Sequence, residues 1–155
     1  MFKIRKATIR DAASIHSLVN KFAKKDEMLP RSLNEIYENI RDFFVCDNKE
    51  EIIGTSALHI LWENLAEIRS LAVSKEYQDK GIGKKLLERC LKEAKALGVK
   101  RVFALTYNPV FFRKSGFKEI DKNTLPQKIW GDCLKCPKFP KCEEVAVIKE
   151  LGTKK

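Results

Sequence analysis

The sequence predicts a mixed α/β domain, of the α+β kind, in which a central sheet of about six to seven strands is flanked by about four helices. Three observations carry that expectation. The 155 residues are 44% hydrophobic and 34% charged, enough to bury a core and ordinary for a globular domain expected to span 1–155. Alternating or continuous apolar runs interchange with stretches whose apolar residues recur every three or four positions. The segment Leu65 to Leu97 then reads as a buried strand, a tight turn bearing glycines and a long amphipathic helix.

Taken in order, Phe2 to Ala7 alternates enough for a first strand. Thr8 and Asp11 have the spacing of a capping box, and Ile15, Leu18, Val19 and Phe22 mark one face of the helix that follows. A polar loop from Lys25 to Arg31, with Pro30, leads to a second capping box at Ser32 and Glu35 and a short helix through Ile36 and Ile40. Asp42 to Asp47 and Glu51 to Ile60 are expected to pair as a hairpin turning near Asn48 and Lys49. Ala66 to Val73 has the apolar character of a strand covered on both faces, and a period of two would put Glu67, Arg69 and Leu71 on one of them. Past Gly81 and Gly83, a stripe of Ile82, Leu86, Leu87, Cys90, Leu91, Ala94 and Leu97 runs along a helix to its expected stop at Gly98. Arg101 to Thr106 is the next strand and Asn108 to Ser115 a short helix entered through Pro109. Gly116 and Phe117 break that helix into another strand, and Glu144 to Glu150 is the last.

Charge narrows the class of partner. Thirty-one basic against 21 acidic residues give a net charge of +10, but the bases are spread through helices that also carry acids. That pattern suits a polyanionic small molecule or an acidic substrate better than nucleic acid. The N-terminus lacks an apolar signal core, and no apolar run approaches the roughly 18 residues of a membrane span, so no membrane and a cytoplasmic location are expected. Five cysteines, an odd number, argue against a secreted disulfide framework. Cys46 and Cys90 fall at core positions. Cys133, Cys136 and Cys142 cluster in the loop at 122–143, a spacing that could bind zinc with Cys46 or Glu143 as fourth ligand. With no histidine nearby, reduced thiols stabilising the loop are preferred and no metal is expected. His16 is read as a helix-surface residue and His59 as a structural one.

The glycine turn has a chemical use. The first N–H groups of a helix have no intrahelical partner, and glycines let a bulky anion approach them. Gln78-x-x-Gly81-x-Gly83 is neither the dinucleotide fingerprint nor the Gly-Lys-Ser/Thr phosphate loop. It resembles the Q/R-x-x-G-x-G/A signature of the GNAT acetyltransferases, in which this loop cradles the pyrophosphate of acetyl-CoA. The opening Arg5-x-Ala7-x-x-x-Asp11-x-x-x-Ile15-x-x-Leu18 resembles that family too. So does Phe111-Phe112-Arg113-Lys114-Ser115-Gly116-Phe117, which is similar to its FYxKxGF segment. The resemblance covers nearly the whole chain. It implies a mixed, mostly antiparallel sheet and acetyl-CoA as cosubstrate, bound by Leu71, Ala72, Val73, Gln78, Asp79, Lys80, Gly81, Ile82, Gly83 and Lys84 and by Asn108, Phe111 and Phe112. One departure matters: Phe112 stands where many relatives have the tyrosine that protonates the departing thiolate.

Three further stretches resemble the short, single-domain bacterial N-acetylglutamate synthases: Ala66 to Val73, Leu29-Pro30-Arg31-Ser32, and Leu125 to Glu144 with its cysteines. That resemblance implies transfer of acetyl to the α-amino group of L-glutamate, with Glu67 as base and Arg31, Arg69 and Ser70 at the acceptor. It fits the chemistry, since an ammonium must lose a proton before it attacks and a planar guanidinium meets a carboxylate with two parallel bonds. A backbone N–H near Leu71, freed by a bulge, would serve as oxyanion donor. Tyr107, with Asn108 beside it, is the nearest phenol able to replace the missing tyrosine. Glu67 and Arg69 as a same-face ion pair, and Arg31 as a solvated surface residue, are the structural alternatives. Two other functions stay open: an acetyltransferase for another amino acid, a polyamine or a protein N-terminus, and a basic binding module with a metal-stabilised cysteine loop. A homodimer is compatible with either.

Overall fold

The structure, a computed structural model, describes residues 2–25, 28, 30–125 and 145–152. Cys133, Cys136 and Cys142 therefore lie outside the described residues. The elements are β1 (Lys3–Lys6), α1 (Ala12–Ala23), α2 (Leu33–Glu38), β2 (Phe43–Asp47), β3 (Ile52–Trp62), β4 (Leu65–Val73), α3 (Ile82–Leu97), β5 (Arg101–Thr106), α4 (Pro109–Arg113), β6 (Lys118–Ile120) and β7 (Val145–Glu150). The strands form one seven-stranded sheet in the order β1-β2-β3-β4-β5-β7-β6. Every pairing is antiparallel except β4 with β5, because α3 carries the chain back over the sheet between them.

Both faces are covered. On one, Ile82, Leu86, Leu87, Cys90 and Ala94 of α3 pack on Phe44, Leu58, Ala66, Ile68 and Val102 of the strands. On the other, Ala12, Ile15 and Val19 of α1 and Ile36 of α2 pack on Phe43, Val45 and Ala57. A third cluster, Leu65, Phe103, Leu125, Ala146 and Ile148, gathers on β4, β5 and β7. The close approach of α3 depends on Gly54, where a Cβ would lie 3.0 Å from Leu86 Cδ1 and 3.3 Å from Ile82 Cγ2. Cys90, fully buried beside Ser56 at 3.2 Å, has its thiol pushed up to about 12 by burial, which makes it an inert core residue.

The helix ends follow their sequence signals. Thr8 N–H donates to Asp11 Oδ2 at 2.7 Å, and the Ser32–Glu35 box closes in both directions, at 2.9 and 3.1 Å. Gly98 ends α3 at φ +87. Leu97 leaves the expected stripe: it is 59% exposed, and Val99, folded back by its N–H bond to Ala94 O, fills the core position instead. The short helix expected through Ser115 stops earlier, at Arg113, and β6 begins after Phe117, which is buried against Phe112. Arg5 ties β1 to its neighbours, donating to Asp11 at 2.8 and 3.1 Å and to Asp47 at 2.7 Å.

Candidate active site

The site begins where the sheet splits. The parallel strands pair at Leu65 with Arg101, Ala66 with Val102 and Glu67 with Phe103. Beyond that register β4 runs on to Val73 and β5 to Thr106 without further pairing to each other among the described residues. Glu67 is thus the last β4 residue paired with β5, at the root of a cleft between two diverging strand ends.

Glu67 is buried, and its Oε1 accepts a 2.7 Å bond from Arg69 Nε; the side chains are only 9% and 16% exposed. Cross-strand partners share a face, so Arg69 lies opposite Ala57 of the second cluster and Glu67 opposite Phe103 of the third. The ion pair therefore sits in the seam between two apolar clusters, where little water screens it. His59, opposite Glu67 on β3, is held by Asp42 with Nδ1 and Oδ2 2.8 Å apart, the structural role expected of it.

Just past Arg69, β4 bulges. Thr55 pairs with Ala72 and Ala57 with Arg69, so Ser70 and Leu71 together oppose Ser56. Ser70 takes the left-handed conformation at φ +53, which few non-glycine residues adopt. The extra residue shifts the strand's phase. Leu71 does not share the face of Glu67 and Arg69, as a simple alternation predicts; with Val73 it packs against the cluster beneath α3. The bulge lies where an oxyanion donor near Leu71 was expected.

The loop after β4 is built as a backbone concavity. Ser74 N–H donates to Ile53 O at 2.8 Å, and the Gln78 side-chain amide donates to Val73 O at 3.0 Å. Asp79 and Gly81 are left-handed, at φ +65 and +83, and α3 starts at Ile82. No side chain caps this helix and no acid stands in its first turn, while Lys80, Lys84 and Lys85 are exposed beside it. Unpaired amides, the positive end of a helix and added cations make an anion receptor. The two glycines differ in kind. A Cβ at Gly81 would point into open space, whereas one at Gly83 would meet the Phe111 ring at 3.4 Å and Val73 at 3.8 Å. The Cα of Gly83 thus faces the Phe111 ring of α4 and the Val73 side chain.

Across the cleft, Tyr107 and Asn108 follow β5 and are exposed. Asn108 Oδ1 caps α4 by accepting from Phe111 N–H at 3.3 Å. Phe112 is buried, packed edge-on against Phe111 and Phe117, so an apolar ring at this position completes the core. Arg31 lies before α2; its side chain is 12% exposed, with Nη1 3.7 Å from Glu35 Oε2. Among the described residues no group of three His, Cys, Asp or Glu side chains could hold a metal ion, and no helix is long and apolar enough to cross a membrane.

Known proteins share this fold. Residues 10–117 match the acetyltransferase (GNAT) family, and the chain belongs to it. An uncharacterized N-acetyltransferase of Chlorobaculum tepidum is 46% identical over 148 residues, 96% of each chain. An amino-acid acetyltransferase of Mycobacterium tuberculosis is 33% identical over 132 residues, 83% of this chain and 75% of that one. Among solved structures, the N-acetylglutamate synthase of Neisseria gonorrhoeae, complexed with coenzyme A and N-acetyl-glutamate, superposes with a TM-score of 0.89 at 25% identity. The match takes in 99% of this chain but 36% of that one. A Mycobacterium tuberculosis protein crystallised with coenzyme A gives a TM-score of 0.83 at 27% identity over 97% of this chain and 99% of that one.

Proposed function

We propose that this acetyltransferase moves the acetyl group of acetyl-CoA to the α-amino group of L-glutamate, the first step of arginine biosynthesis. The observation that carries the reading is the Glu67–Arg69 pair at the root of the split sheet, directly followed by the bulge at Ser70 and Leu71, in a strand that leads into an anion-receiving helix end. The acceptor is supported by the relatives named above, one an amino-acid acetyltransferase and one an N-acetylglutamate synthase.

In this reading the main-chain amides of Asp79, Gly81, Ile82 and Gly83, with Lys80 and Lys84, hold the pyrophosphate, and Gln78 keeps the loop closed. Leu71, Ala72 and Val73 present main-chain groups along the cleft, and Phe111 and Asn108 line its far side. Arg31 and Arg69, with Ser70, receive the acceptor's carboxylates through charge-assisted bonds. Glu67 takes the ammonium proton, directly or through a water, so that the amine nitrogen attacks the thioester carbon. The bulge N–H near Leu71 meets the charge that develops on the thioester oxygen. As the carbon–sulfur bond breaks, Tyr107 gives the departing sulfur its proton, a task Phe112 has no atom to perform.

A thiol-release assay with acetyl-CoA against a panel of amino acids and polyamines tests this directly. Glutamate should be the preferred acceptor. Thiol release with a polyamine and not with glutamate would overturn the acceptor and leave the cofactor half standing; no release with any amine would favour a binding role.

A further inference from the structure

Asn20 is a polar residue on α1, three residues before its end, and its side-chain amide uses both its donor and its acceptor. Nδ2 donates to Arg31 O at 2.9 Å and to His16 O at 2.9 Å, while Oδ1 accepts from Arg31 N–H at 3.3 Å. The amide thus pairs with both main-chain groups of Arg31, as a neighbouring strand would, and the bond to the preceding helical turn fixes which way it faces. Asparagine is a poor helix former compared with alanine, and nothing in the packing of α1 on the sheet uses this side chain: the buried face is Ala12, Ile15, Leu18 and Val19. The same loop is pinned at Met28, which packs against the α1–α2 cluster, and on its far side by the Ser32–Glu35 box.

We propose that Asn20 is a positioning residue for Arg31 and so a determinant of acceptor specificity. The inference rests on the reading of Arg31 as a carboxylate-binding residue. A forked guanidinium discriminates best when its stem leaves the backbone in a fixed direction, because two parallel bonds to a carboxylate require a set orientation. Asn20 supplies that fixed direction from a helix anchored in the core. It touches no substrate. Its chemistry is a main-chain clamp, and the ligand class it selects is an amine that carries a carboxylate.

Acceptor and acetyl-CoA KM, measured for Asn20→Ala and Arg31→Ala singly and together, test this. Asn20→Ala should raise the glutamate KM about tenfold, the reading of roughly one net hydrogen bond's worth of positioning, and leave the acetyl-CoA KM unchanged. In the Arg31→Ala background it should add nothing, an outcome that a general loss of packing would not produce. Asn20→Asp, which keeps the size and the acceptor atom but loses both Nδ2 donors, should share the defect and serves if the alanine variant folds poorly. Equal effects of Asn20→Ala with and without Arg31 would overturn the inference, as would no effect beside a clear one for Arg31→Ala. If Arg31→Ala itself leaves the glutamate KM alone, the acceptor reading fails and this inference falls with it.

Discussion

At the residue scale, the site depends on charges that cannot be changed singly without consequence. Glu67 and Arg69 hold each other in a poorly screened seam, so truncating either removes a charge-assisted bond from the other. Glu67→Gln preserves the shape and removes the negative charge; kcat should fall by roughly 10²-fold or more with acetyl-CoA KM nearly unchanged. Unaltered turnover and pH–rate profile in that variant would reduce the pair to a structural ion pair. At Arg31 the guanidinium fork is the point, so Arg31→Lys should raise the glutamate KM and Arg31→Ala should raise it more. Both residues were visible in the sequence as charged groups in an apolar strand and a capped loop. The bulge beside them was expected from the family resemblance alone, not from the residues of the strand. It arises because β3 and β4 fall out of register by one residue at Ser56, and a mismatch between two strands leaves no mark in either alone. The face of Leu71 was misread for that reason.

At the scale of the element, α3 shows how glycines that look alike in a motif do different work. Gly81 is left-handed with open space around it, so Gly81→Val should cost about 1 kcal/mol or somewhat more in backbone strain and weaken acetyl-CoA by occupying the anion's approach. Isothermal calorimetry on the folded variant reads the second effect, and wild-type affinity there would remove Gly81 from the cofactor site. Gly83→Val should instead press on Phe111 and disturb α4. Gly54 carries neither a motif nor a positive φ, yet a Cβ there would press on Leu86 and Ile82 of the helix. Gly54→Val should destabilise the fold by about 1–3 kcal/mol of overpacking in urea melts. The helix itself, its stripe and its stop at Gly98 were legible from a period of 3.6 and one glycine. Which glycine touches what was not, since that is decided by the partner element.

At the scale of the whole molecule, local signals gave the strands while the order in which they assemble came only with the structure. The insertion of β7 between β5 and β6 joins residues far apart in sequence. The ion pairs of Arg5 also set the acid limit. The Arg5 guanidinium holds the Asp11 and Asp47 carboxyls below the usual range, most strongly through the hydrogen bonds it donates to them. Groups whose native pKa is depressed add stability that is complete above the unfolded value, about pH 4, and is lost as pH falls through the native one. Thermal melts of wild type should therefore drop steeply below about pH 4, and Asp11→Asn should be less stable at neutral pH with a shallower acid slope. A parallel decline in both proteins would show that Arg5 does not set this limit.

The split between β4 and β5 carries a further consequence. Two strand margins that face each other in the middle of a sheet, with no ladder between them past Glu67 and Phe103, are an internal edge, and an edge offers rows of main-chain donors and acceptors to whatever fits. A ligand with amide groups spaced along an extended chain could lie there as a temporary strand. Amide hydrogens on Ile68–Val73 and Ala104–Thr106 that point into the gap should then exchange rapidly in the free protein and slow on addition of coenzyme A, while those bonded outward to β3 and β7 stay protected throughout. The missing rungs would make the cofactor part of the sheet.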